Sequence, residues 1–271
     1  MTSPAFLTER DLAGAFELLS HATDEPTVLA VLTDEELLAL EGTEGAELAG
    51  SPFLEASDFD REQAAAVAAR SLIARGLVTF EDTDRENEGE DLLSEEPSQR
   101  AAQLDRSLAG LLALRSMPRG VLNLTRQVEA QTTSLMIYLF PRDGVLEELV
   151  TADGFHHFSL PTRSALPARI ARYVDQAQVA AELDGETHVG GAAEFDGDTP
   201  IAKRLRDTRA LTVITSASAG GSQQHSVMAT SDAVFIMDTP TSEDEQVTLR
   251  EISGATLEEL LDQALPTITL Q

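Results

Sequence analysis

The side chains best suited to move a proton or hold a metal near neutral pH are five histidines: His21, His156, His157, His188 and His225. A zinc site needs ligands converging from defined spacings, such as His-Glu-x-x-His on one helical face. No histidine here falls in that pattern. His156 and His157 sit in the strand-like run "FHHFSLP", where neighbours point to opposite faces and cannot share one ion without distortion. One is expected to be partly buried and hydrogen-bonded, the other exposed. A serine hydrolase needs a serine on a sharp turn with a histidine beside it. "SASAGGSQQHS" supplies Ser, Gly and His225, but it lies between two strand-like runs and reads as a hairpin. Neither a Walker-type phosphate loop nor a Gly-x-Gly-x-x-Gly turn after a strand occurs. "DTDRENEGEDL" has the outline of a calcium loop, but Arg85 and a misplaced Gly89 break it. The carboxylates Glu147 and Glu148, and Glu194, Asp196 and Asp198, are expected to be solvated. The sequence therefore assigns no catalytic residue, cofactor or metal ligand, and enzymatic activity is not expected.

Composition narrows the field of partners. The 271 residues carry 47 acidic against 19 basic side chains, a formal charge of -28. Such a field repels nucleic-acid phosphate and anionic lipid, so neither nucleic acid nor membrane is an expected partner. With 42% hydrophobic residues the chain can build a packed core, and with aromatics at only 4% the packing falls to Leu, Val, Ile and Ala. Cysteine is absent, which excludes disulfides and thiolate sites. The start "MTSPAFLTERDLAGAF" lacks the basic region and apolar run of a signal peptide, so a cytoplasmic location is expected.

These side chains must be positioned by two kinds of element. Residues 1–117 are rich in helix. Thr8 and Thr33 are suited to cap helices, with Leu12, Phe16 and Leu19 on one face of the first. A second helix, "FDREQAAAVAARSLIARG", groups Ala64, Val67, Ala68, Leu72 and Ile73 and stops at Gly76. The acidic segment 81–97 reads as loop, and a further helix is expected over Ser98–Arg115. From residue 118 the pattern turns to strand. Two blocks, 118–178 and 209–265, each read as short strands followed by an amphipathic helix, with matching elements about 90 residues apart. A Gly-rich linker and a basic helix with Lys203, Arg204, Arg206 and Arg209 join them. That basic cluster is either a solvated face paired with carboxylates or a docking patch for acidic groups. The expected fold is α/β (α+β), a mainly antiparallel central sheet flanked by amphipathic helices, with two quasi-equivalent halves.

"AAAVAARSLIARGLV" has the look of a winged-helix junction, but its outward residues Arg61, Gln63, Arg70, Ser71 and Arg75 are few for a DNA reader. The segment where a wing would touch phosphate is loaded with carboxylates. Four stretches, "LTDEELLAL", "ARSLIARGLV", "SLAGLLALRSMPRGVLNL" and "FHHFSLPTRSALPARIARYV", together resemble the EspG family, type VII secretion-associated chaperones of high-GC Gram-positive bacteria. The likeness is one of element order across most of the chain, and the acidic segment and final tail lie outside it. It implies two quasi-equivalent halves sharing a sheet, and a cytosolic role holding a helical secretion substrate, such as a secreted helical pair, soluble until export. It carries over no binding residue. Runs such as "SLMIYLF" and "AVFIMD" are apolar at nearly every position, so both their faces need cover from helices or a partner. The candidate partner-binding residues are Gln127, Val128, Glu129 and Gln131 in one hairpin, with Leu257, Leu260 and Leu261 of the last helix. Ordinary core packing is the other reading of those leucines. The alternative function is a winged-helix-type transcriptional regulator with a C-terminal sensing domain.

Overall fold

The computed structural model describes residues 7–80, 102–191, 194–195, 197–218, 221–238 and 246–268. The acidic segment 81–97, with its calcium-like pattern, and Asp196 lie outside these residues.

Hairpins build the sheet. β4 (Gly120–Val128) and β5 (Gln131–Leu139) pair over their whole length, from Gly120 opposite Leu139 to Val128 opposite Gln131. Arg142 and Asp143 both take positive φ (61 and 59), the combination that suits a tight turn into β6 (Val145–Val150). β7 (Phe155–Ser159) returns beside β6, and β1 (Ala30–Thr33) of the N-terminal part adds outside β7. The second block repeats the order with β9 (Ala210–Ser218), β10 (Gly221–Ala229), β11 (Val234–Asp238) and β12 (Val247–Ile252). Its outer edge is β8 (Thr187–Gly190), a strand formed within the linker that the sequence pattern gives as loop. The result is one antiparallel ten-stranded sheet, ordered β1-β7-β6-β5-β4-β9-β10-β11-β12-β8.

The blocks meet where β4 pairs with β9. Leu124 opposes Ile214, and each is the middle residue of a nine-residue strand, so a quasi-twofold axis passes through this pair. On the back face, α6 (Leu166–Val174) and α8 (Gly254–Ala264) pack against each other. Leu166, Ile170 and Val174 match Leu257, Leu261 and Leu265 in spacing, and all six enter one core with Leu122, Leu124 and Ile214.

On the front face the two halves are covered differently. The first block lies under α1 (Glu9–Leu19), α2 (Asp34–Ala46), α3 (Pro52–Ala56), α4 (Arg61–Ala74) and α5 (Arg106–Ser116). The second is covered by α7 (Pro200–Leu205), whose Ile201 packs with Phe235 and Leu249. Leu135 to Leu139 are consequently buried one after another, as a strand covered on both faces must be.

Three helical expectations need correction. The helix expected over Ser98–Arg115 begins at Arg106, because the Asp105 carboxylate accepts from Ser107 N and Leu108 N and caps it. Ala102–Leu104 instead forms β3, paired with β2 (Val78–Phe80). In α1 the buried residues are Gly14, Ala15 and Leu18, while Phe16 is 69% exposed. The reason is a close crossing on α5: a Cβ on Gly110 would sit 2.5 Å from the carbonyl carbon of Gly14. In α4 only Ala68 and Leu72 are buried, and Val67 and Ile73 face outward.

Candidate functional site

The densest gathering of ionisable groups lies between the helical layer and the first block. Thr33 and Glu36 form a reciprocal capping box at the start of α2, which fixes the turn carrying Asp34. One Asp34 oxygen accepts from Phe53 N (2.8 Å) and Leu54 N (3.1 Å) at the start of α3. The other lies 2.8 Å from His156 Nε2, and His156 Nδ1 lies 2.6 Å from Glu148 Oε1. Glu148 Oε2 accepts from Arg115 Nε (2.9 Å) and from the Tyr138 hydroxyl (2.5 Å). Arg115 Nη1 also donates to Glu41 and to the Gly45 carbonyl. Gly154, at φ +79, holds the turn before β7, and a Cβ there would collide with Phe53 and Asp34.

Asp34, Glu148, His156 and Arg115 are all buried. Burial opposes a charge on His156, but hydrogen bonds to Asp34 and Glu148 outweigh it and raise the pKa of the ring. Both ring nitrogens face carboxylates, an arrangement that favours the imidazolium form donating on both sides. Burial also opposes ionisation of Glu148, yet the Arg115 charge and the His156 hydrogen bond hold it down at about 2. Burial raises Glu41, against the pull of Arg115.

This cluster is a structural clamp. Asp34, Glu148, His156 and Arg115 are buried and bond chiefly to one another, with only Arg115 Nη2 left without a partner among the described residues, and His156 keeps no lone pair for a metal. Among the described residues no group of three or more His, Asp or Glu side chains could hold a metal ion. The expectation that Glu147 and Glu148 are solvated is corrected: both are buried, on opposite faces. Glu147 accepts from Ser159 Oγ (2.9 Å) and from Arg169 of α6 (2.5 and 3.2 Å), which pins α6 to the back of the sheet.

The surface above the clamp has a different character. A groove of about 410 Å³ runs between the first turn of α2 and the outward side of α4. Phe59, Ala64, Val67 and Ala68 supply its apolar lining, and Glu35, Glu36 and Asp60 supply carboxylates. Phe59 is 61% exposed and Val67 69%. Phe59 is steadied by Phe53, with ring centroids 5.8 Å apart. Glu36 is paired with Arg75 at 2.6 Å and bonded by Ser71, so Glu35 and Asp60 carry the groove's negative charge.

The residues singled out by sequence for partner binding do not converge. Leu257 and Leu261 are 1% and 0% exposed in the back core, with Leu260 packed partly against it. Their burial accords with core packing, the other reading of these leucines, since the inward stripe of α8 fixes this helix to the sheet. Gln127, Glu129 and Gln131 are exposed at the β4–β5 hairpin, and Val128 packs partly against the back core. The basic helix is internally matched: Arg204 pairs with Glu251 and Asp232, Arg206 with Asp198, and Arg209 with Asp207. Sequence reasoning missed the groove because it grouped exposed Val67 with Ala68 and Leu72, the buried residues of the helix. The signal available was Phe59 just before the Asp60 cap, an aromatic ring where a helix begins among acids.

No protein-family model matches the chain, and no curated protein sequence matches it.

Proposed function

We propose that this is a non-catalytic binding protein, a chaperone or adaptor that shields the apolar stripe of a helical partner, in the manner of the EspG-like chaperones whose element order it resembles. The cytosol is the compartment this role requires, with export of the partner as the later step. One observation carries the reading: large apolar side chains, Phe59 and Val67, stand in solvent beside a groove, while the ionisable groups are locked away in a clamp. Covering such a side chain is worth about 1.5–3 kcal/mol, enough for two or three of them to anchor a helix. The ten-stranded sheet supplies a rigid base for that surface. Arg75, an outward base in the alternative DNA-reading role, is occupied with Glu36 and the Val31 carbonyl, which lowers the support for that role. The test is affinity capture of the tagged full chain from its native cells, with mass spectrometry. A stoichiometric helical protein is the expected result, and absence of any stoichiometric partner where the chain is expressed overturns it.

A further inference from the structure

We infer that the α2–α4 groove is the docking site itself, and that its occupant is an amphipathic helix of another protein with basic residues flanking its apolar stripe. The inference rests on the binding-protein reading and adds the place and the chemistry. Val67 stands on α4 and Phe59 just ahead of its Asp60 cap, and both line the same groove, so a partner helix can set apolar residues against two exposed anchors. Ala64 and Ala68 project little from the same lining, so a helix backbone can come close. α4 has 14 residues, which gives a track of about 21 Å, long enough for three to four turns of a partner. Glu35 and Asp60 at the rim favour Lys or Arg on the partner's flanks. A second copy of this chain is disfavoured as the occupant, because each copy carries a formal charge of -28.

The experiment places a photoreactive amino acid at position 67 of the full chain in native cells, and in a control at position 183, where Leu183 is 81% exposed. The expected result is an adduct from position 67 and not from 183, mapped by mass spectrometry to an amphipathic segment with Lys or Arg beside its apolar stripe. Adding Phe59→Ser is expected to cut the adduct yield about tenfold, the loss of about 1.4 kcal/mol, with the circular dichroism spectrum unchanged. An adduct mapped to an acid-flanked or non-helical segment overturns the inference, as does equal labelling from position 183. No adduct from 67, while affinity capture still yields a stoichiometric partner, removes the groove and leaves the binding role standing. Loss of both removes both.

Discussion

His156 shows what the clamp costs and what it contributes. Its folded pKa lies above the ordinary 6.5, so its share of stability is fully present below that value and is lost as pH rises through the folded pKa. Glu148 works in the opposite sense: its share is present above 4.5 and is lost as pH falls towards about 2. Together they favour stability between roughly pH 4.5 and 6.5. Thermal melts of the wild type should show a declining alkaline limb, and His156→Gln should flatten it. An unchanged alkaline slope in that variant would show that the ring is neutral in the folded protein. Glu148→Met should be more damaging, about 3–5 kcal/mol by chemical denaturation, because it removes the buried carboxylate that Arg115 and His156 share and leaves them only Glu41 and Asp34 respectively. Replacing Arg115, Glu148 and His156 together by apolar residues should cost less than that single change. Little of this is legible in sequence. A Glu-Glu pair at a hairpin reads as solvated, whereas the partners that bury it come from afar: Arg115 is 33 residues from Glu148, and Asp34 is 122 from His156.

Elements were legible where their determinants are local. Thr8 and Thr33 cap their helices as expected, and each closes a reciprocal box, with Asp11 and Glu36 respectively. Gly76 takes its left-handed stop at φ +72, and two blocks of strands ending in a helix recur as the pattern suggests. Helix faces were harder, because side-chain size misleads where backbones touch. Leu12, Phe16 and Leu19 are large residues on one face of α1, but the closest approach to α5 is made through Gly14 and Gly110. Gly110→Ala should therefore cost about 1–3 kcal/mol despite the better helix propensity of alanine, since the added methyl meets backbone and not a movable side chain. Denaturant titration measures the loss, and amide exchange should place it in α1 and α5. Stabilisation by this substitution would mean that the two helices can separate without consequence.

At the scale of the whole molecule, the quasi-twofold sheet offers two similar front faces to one helical layer. Tyr138, Glu148 and Phe158 on the first block correspond by register to Met228, Met237 and Leu249 on the second. The charged clamp exists on one half alone, so a layer carrying Arg115 and Asp34 finds its counter-charges only there. The remaining charge is a surface property with two opposed consequences. At a formal charge of -28 the folded chain repels itself, and salt screens that repulsion over a Debye length of about 8 Å at physiological strength. The clamp is buried and is screened far less. Stability should therefore rise with added chloride and then level off. A helix held at Glu35 and Asp60 through basic flanks depends on the same field for attraction, so its affinity should fall over the same range. Melting temperature and partner affinity measured in one chloride series should run in opposite directions. Should the melting temperature fall with salt, exposed ion pairs such as Arg106 with Glu17 would outweigh the net charge; should both quantities rise, the contact would be apolar with no electrostatic selection.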